Sequence, residues 1–350
     1  MRTFRSDNNA GLCPEAMQGL SEANDSSHEI GYSDDSYTGR AVAAFKRIFG
    51  DDTSVFFVAT GTAANTLSIA ALTEPWQQVL CHSHSHYNDD ESTAPERFTH
   101  CRVTAIHSED SKLTVADIES AAIHSRGDLH QPQPGVLTVS NTTEFGTVYS
   151  PAEMKSLCTA AHAAGYRVHV DGARFANAVA AMGCDPRDLT VRAGVDALSF
   201  GGTKNGLAFG EAIVVFPQGD RSAWKRATET LPFHRKGTGH LLSKHRFVSA
   251  MFAATLQDDV WLKHARHANG MATMLAEGLR RAGIQPRFPV QANGVFVNLP
   301  PSVDAHLQSR GHGYYPFGEP SWNLVRLMCS FDTTEDDVRR FLADVAAPAR

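Results

Sequence analysis

The chain has 350 residues, 42% of them apolar and 20% charged, enough to bury a sizeable core and to divide into two domains. A formal net charge of −6 and a pI near 6.3 leave no electrostatic footprint for nucleic acid or an anionic membrane and point to small metabolites as partners. No uncharged apolar run approaches the roughly 18 residues of a membrane span, Met1-Arg2-Thr3-Phe4-Arg5 lacks a secretory apolar core, and six cysteines without CxxC spacing indicate neither a disulfide framework nor a zinc site, so a cytoplasmic protein is expected.

After a polar N-terminal arm, residues 39–49 carry helical periodicity and Ser54-Val55-Phe56-Phe57-Val58 reads as a buried strand. Thr60-Gly61-Thr62-Ala63-Ala64-Asn65 follows directly and opens an Ala/Leu-rich helix through Leu72. Such a start presents free N–H groups and a positive dipole end, to which a phosphate can dock, although a plain capped helix needs the same residues. Strands at 135–140, 167–171, 197–200 and 212–216 then alternate with helical stretches such as 151–164. A long helical region follows from about 241 to 282, then short elements at 295–299 and 324–329 and a closing helix at 334–345. The expected fold is α/β, with a sheet sandwiched between helices and ligands beyond the strand ends. The expected division is an arm (1–15), a large domain (16–245) and a smaller C-terminal α/β domain (246–350).

Two of those strand ends carry complementary chemistry. Tyr166-Arg167-Val168-His169-Val170 runs into Asp171-Gly172-Ala173-Arg174, and Ser199-Phe200-Gly201-Gly202-Thr203 presents Lys204 from a small-residue loop. A lysine so placed can form a Schiff base with an aldehyde cofactor, and a carboxylate can keep a pyridine nitrogen protonated, which is the pair that pyridoxal phosphate requires. Alone, each has a bland reading as a turn residue or a solvated charge. In His82-Ser83-His84-Ser85-His86, alternate histidines on a strand would share a face and could chelate a metal. No distant carboxylate or cysteine set completes such a site, so no metal is expected.

With these residues in place, the chain resembles the L-threonine aldolases of the fold-type I pyridoxal phosphate enzymes, in the β-eliminating lyase superfamily. The resemblance rests on Phe4-Arg5-Ser6-Asp7-Asn8, Gly61-Thr62-Ala63-Ala64-Asn65, His86-Tyr87-Asn88-Asp89-Asp90-Glu91, His169-Val170-Asp171-Gly172-Ala173-Arg174 and the segment from Val325-Arg326-Leu327 to Thr334. It implies a mostly parallel seven-stranded sheet in the large domain. It implies further that Lys204, Asp171, His86 and His130 are catalytic, His86 stacking on the pyridine face and His130 reaching the substrate's β-hydroxyl. Gly61, Thr62, Asp171, Arg174, His86, Lys204 and Arg235 would hold the cofactor, with Lys236 an alternative to Arg235 in a basic loop. Ser6, Arg174 and Arg326 would grip the substrate carboxylate, and Tyr32 would enter a neighbouring subunit's site, implying a dimer or a dimer of dimers. Two departures stand out: Ser199-Phe200-Gly201-Gly202-Thr203 differs from the commonest sequence before the lysine, and Glu144 stands where many members place a histidine-bearing loop.

The implied reaction is cleavage of L-threonine, L-allo-threonine or a related β-hydroxy-α-amino acid to glycine and an aldehyde, with His86, His130 or a water as base. The alternatives are another reaction on the same scaffold (β-elimination, transaldol transfer or transamination) or, in another class, a silent cofactor-binding regulator. Fold alone does not choose among them.

Overall fold

The computed structural model describes residues 2–25, 27–123 and 127–347. Seven strands, β1 (Ser54–Val58), β2 (Gln77–His82), β3 (Arg102–Ile106), β4 (Gln133–Ser140), β5 (Arg167–Gly172), β6 (Ala197–Gly201) and β7 (Glu211–Val215), form one sheet in the order β1-β7-β6-β5-β4-β2-β3. Only β7 runs against its neighbours, so the sheet is mixed but mostly parallel. The C-terminal ends of β1, β2, β4, β5 and β6 therefore share one edge with the start of β7. Both faces are covered, so successive residues of one strand enter different cores: Leu198 and Phe200 of β6 pack into one, Ala197 into the other. That is why the central strands read as nearly continuous apolar runs.

On one face, helix Gly61–Leu72 packs through Ala64, Leu67 and Ile69. On the other, helices Ser36–Phe49 and Arg246–Thr255 bring Phe45 and Phe252 against Phe200, the Phe45 and Phe200 rings meeting edge to face at 5.1 Å. Such a contact adds about 0.5–1.5 kcal/mol beyond area burial. Helix starts follow the local chemistry: Asp35 accepts from the Thr38 N–H at 2.8 Å, and Ser150 and Glu153 form a reciprocal capping box before Pro151.

A second core surrounds a three-stranded sheet ordered β8 (Gly294–Val297), β10 (Leu324–Met328), β9 (Tyr315–Phe317), backed by helix Glu335–Ala346. The N-terminal arm is part of this unit: Phe4 donates to Gly313, accepts from Met328 and packs its ring on Phe341 at 5.1 Å. The expected boundary at residue 245 is corrected accordingly. Helix Arg246–Thr255 and the start of helix Val260–Arg281 (Trp261, Leu262, Ala265) belong to the large core, whereas Ala272, Leu275 and Leu279 belong to the small one. The change of core thus falls inside one helix. The helical region expected from 241 to 282 is itself broken at Asp258 and Asp259, whose φ values of 51° and 56° are left-handed. Asp tolerates that region better than most residues.

Strands β2, β3 and β9 and helices Pro14–Asp25 and Ser222–Gly237 were not anticipated. The last contains Pro232, normally a helix breaker, yet it holds Arg235 and Lys236 in its final turn rather than in a loop. The alternating histidines do not share a strand either: β2 ends at His82, and Ser85 caps a short helix, His86–Asp89. Among the described residues, no helix is long and apolar enough to cross a membrane.

Candidate active site

Lys204 and Asp171 meet because adjacent parallel strands end together: Asp171 of β5 pairs in register with Ser199 of β6. Two glycines let the lysine loop lie against the turn after Asp171 on one side and the approach to β7 on the other. A Cβ on Gly201 would sit 2.2 Å from the Ala173 carbonyl oxygen, and one on Gly202 would sit 2.5 Å from the Gly210 carbonyl oxygen. No side chain fits at either position. The Lys204 turn is also tied to β7, whose buried Glu211 accepts from the Gly202 N–H at 2.6 Å. Burial pushes the Glu211 carboxyl up to about 7, against the pull of the Thr203 and Gly202 donors and of Lys204.

Asp171 is buried and accepts from Asn65 Nδ2 at 2.9 Å and from the Ala173 N–H at 3.0 Å. Burial opposes its charge, but His86, the Ala173 N–H, Lys204 and His169 together outweigh that and hold its carboxyl below the usual range. Asp171 is thus an anion facing an amine and an imidazole. Two residues earlier on the same face, His169 is locked between Thr138 and Ser199 at 2.9 Å each, and burial drives its pKa to about 4, leaving a neutral ring.

Asn65, on the second turn of helix Gly61–Leu72, also donates to Glu91 Oε1 at 2.8 Å, and the same oxygen lies 3.0 Å from His86 Nδ1. Glu91 raises the His86 pKa, while burial raises that of Glu91 itself. The pair therefore retains a proton, fixing the ring and leaving Nε2 without a partner among the described residues.

Arg174 is not free. Its Nε and Nη2 form a two-pronged ion pair with buried Asp7 at 2.7 and 2.8 Å, and Asn293 Nδ2 completes the carboxylate at 3.0 Å. Although burial works against the charge, Arg174, Lys204 and Asn293 bring the Asp7 carboxyl down to about 2. Arg174 Nη1 keeps no partner among the described residues. Ser6, beside Asp7, accepts from the Asn8 N–H at 3.2 Å and caps a short turn at the rim. Arg326, on β10, lines a cavity of about 550 Å³ together with Glu144, Asp90 and Phe317. Its Nε is buried without a partner among the described residues, and burial lowers its pKa, with Arg174 adding repulsion.

At the end of β1, Thr60 caps helix Gly61–Leu72 through the Ala63 N–H at 3.2 Å, leaving Gly61 and Thr62 at the open helix end. Arg235 reaches the same corner: it donates to the Phe57 carbonyl at 3.4 Å and to Ser33 Oγ at 3.1 Å, and its buried Nε is unpartnered. Burial lowers its pKa to about 10. Lys236 instead lies 4.7 Å over the exposed Tyr32 ring.

His130 is elsewhere. It sits exposed in a turn held by Asp128, at the N-terminal end of β4, while the site forms at the C-terminal ends. An eight-residue strand places these ends more than about 20 Å apart. His130 is therefore removed from this chain's site. The structure adds Asp7, Asn65 and Glu91, which lie inside motifs already read but gave no cue to their pairing, and Asn293 and Glu211, for which the sequence carried no signal.

The donor set fits pyridoxal phosphate: a lysine and an arginine Nε that have no partner among the described residues, the arginine beside an open helix end, together with a buried anionic carboxylate and a fixed imidazole. The profile of the beta-eliminating lyase family matches residues 3–300. A low specificity L-threonine aldolase of Pseudomonas aeruginosa is 43% identical over 346 residues, covering 98% of this chain and 96% of that protein. One from Saccharomyces cerevisiae is 27% identical over 299 residues, covering 85% and 73%. The solved threonine aldolase of Leishmania major superposes with a TM-score of 0.90 at 27% identity, covering 99% of this chain and 98% of that one. A Sphingomonas wittichii serine palmitoyltransferase, at 14% identity, 98% and 86% coverage and a TM-score of 0.74, shares the fold alone. Sequence, fold and donor set agree, and this chain belongs to the low-specificity L-threonine aldolases of the beta-eliminating lyase family, a fold-type I group of pyridoxal 5′-phosphate enzymes.

Proposed function

We propose that the site performs retro-aldol cleavage of L-threonine and related β-hydroxy-α-amino acids to glycine and an aldehyde, with Lys204 as the anchoring amine. The observation that carries the reading is the continuous network from buried Asp171, Asn65 and Glu91 to half-buried His86, with Lys204 acting on both its ends. Pyridoxal phosphate, when bound, supplies an electron sink for the bond that breaks at Cα. Asp171 is the group to keep its ring nitrogen protonated, and each Asp171 oxygen accepts one donor and retains a further lone pair. His86, fixed by Glu91, provides the stacking face. Gly61, Thr62 and Arg235 form the phosphate corner, Arg235 being favoured over Lys236 because its orphaned Nε is buried there.

Arg326 and Arg174 Nη1 are the guanidinium donors for the substrate carboxylate, with Ser6 at the rim. Holding that carboxylate would orient the substrate at Cα, where the cofactor, when bound, would supply its electron sink. Tyr32 and its neighbour Ile30 are exposed, as is Phe233, which supports a dimeric or larger assembly sharing sites; a monomer by sedimentation at working concentrations excludes it. All six cysteines are free thiols, in keeping with a reducing, cytoplasmic setting that cell fractionation checks.

The test is product analysis with L-threonine, L-allo-threonine and phenylserine. Glycine and the matching aldehyde are expected, and Lys204→Ala is expected to lose both turnover and the visible absorption of lysine-bound cofactor. Release of ammonia and a 2-oxo acid instead would overturn the reading.

A further inference from the structure

Glu144 differs from the buried carboxylates around the site, and it is less exposed than Asp90 and Glu319, which line the same cavity. Asp7, Glu91, Asp171 and Glu211 are each buried and each spent on named donors, whereas Glu144 is half-buried and has neither a hydrogen bond nor an ion pair among the described residues. It is nonetheless rigidly presented. The turn after β4 is closed by the Thr143 N–H on the Thr147 carbonyl at 2.9 Å, by a 2.7 Å hydrogen bond between the two threonine hydroxyls, and by the Gly146 N–H on the Thr143 carbonyl at 3.0 Å. Gly146 takes the positive φ of 76° that this turn requires. The next side chain, Phe145, is buried and stacks on Phe288 at 4.4 Å, so the turn is pinned from below.

Glu144 lines the cavity that contains Arg326, and its charge acts on His86, Arg174 and Arg326 alike. It therefore shares a cavity with one of the two guanidiniums assigned to the substrate carboxylate, and its field reaches the other and the imidazole assigned to the cofactor face. An unpaired anion in that position repels the substrate carboxylate and weakens binding. What it favours is a donor on the same substrate, and a β-hydroxy amino acid has one, three bonds from the carboxyl carbon.

We propose that Glu144 is a catalytic residue that accepts the proton of the substrate's β-hydroxyl, an assignment that rests on the reaction proposed above. The proton passes from the β-oxygen to the Glu144 carboxylate. The electron pair of the O–H bond becomes the second bond of the aldehyde carbonyl as Cα–Cβ breaks, and the pair from Cα–Cβ enters the bound cofactor. Glu144 then returns its proton to water, and Cα takes one back from water, which completes glycine and balances the protons. Selection follows as well: the site accepts β-hydroxy amino acids and discriminates against isosteres without the hydroxyl, whose carboxylate still meets Glu144's charge with nothing in return.

The experiment uses the cofactor-loaded enzyme with Glu144→Gln and Glu144→Asp. Cleavage of L-threonine and phenylserine by Glu144→Gln is expected to fall about 10²- to 10⁴-fold in kcat, the usual range for a lost general base, with partial recovery in Glu144→Asp. Glycine has no β-hydroxyl. Its affinity, read from the change in cofactor absorbance, is therefore expected to hold or to tighten as the repelling charge is removed, and the exchange of its α-hydrogen with deuterated solvent to stay within about threefold of wild type, a small change beside the loss of a general base. Cleavage within about fivefold of wild type, or glycine exchange falling in parallel with cleavage, would overturn the assignment by leaving Glu144 no role or only a structural one. A wild-type enzyme that exchanges glycine but cleaves no β-hydroxy acid would instead overturn the reaction itself, and Glu144's role with it.

Discussion

Replacing Asp7 by Asn removes the anion that neutralises Arg174, and the structure sets the scale of the loss. Asp7 is 1% exposed and its carboxyl is brought from an ordinary 3.8 down to about 2, which corresponds to about 2 kcal/mol of native-state stabilisation of the charged form. The substitution also strands the Arg174 guanidinium, whose side chain is only 11% exposed, and breaking a buried pair costs about 3–5 kcal/mol. We expect a loss of about 3 kcal/mol in the cofactor-free protein. In urea this moves the unfolding midpoint down by about 1 M for a slope near 3 kcal/mol per M. Because the folded pKa of Asp7 is depressed, its contribution is complete above about pH 4 and disappears as pH falls through about 2. The difference between wild type and Asp7→Asn is therefore constant from pH 7 to pH 5 and shrinks below pH 4. Because Asp7 also ties the N-terminal arm to Asn293 and Arg174, the loaded variant is expected to show a raised KM as well. A midpoint shift under about 0.2 M at pH 7, or one that persists undiminished at pH 2.5, would refute the argument.

Two further expectations follow from single contacts. Glu91→Gln replaces the anionic acceptor that raises the His86 pKa with a neutral amide, so the His86 titration, followed by NMR in the cofactor-free protein, should move to lower pH; an unchanged titration would show that the 3.0 Å contact does not couple the two groups. Gly201→Ala places a methyl 2.2 Å from the Ala173 carbonyl oxygen and should destabilise the protein by about 1–3 kcal/mol while weakening cofactor retention, whereas Gly237→Ala, where a methyl meets open space, should do neither; equal thermal shifts for the two would refute the close-approach argument.

The sequence alone determined the parts of this protein that depend on local periodicity and on residues adjacent in the chain. The apolar runs at Ser54–Val58, Arg167–Gly172 and Ala197–Gly201 were legible because strands buried on both faces leave little room for polar residues, and Asp171 and Lys204 were legible because each ends such a run. The small-residue start at Gly61 was legible for the same reason. Strand β3 was not, since an edge strand with exposed positions carries a weak pattern, and helix Ser222–Gly237 was hidden by its own Pro232. Tertiary structure alone decided what each polar residue faces. Arg174 meets a carboxylate 167 positions away in the chain, and Asn65 joins Glu91 to Asp171 across 26 and 106 positions. His130 falls at the wrong end of the sheet, while Glu144, on the turn at the other end of the same strand, arrives beside Arg326. Strand direction makes that choice: residues just before and just after a parallel strand are neighbours in sequence, yet they open on opposite edges of the sheet, and only the edge where the strands end gathers the site.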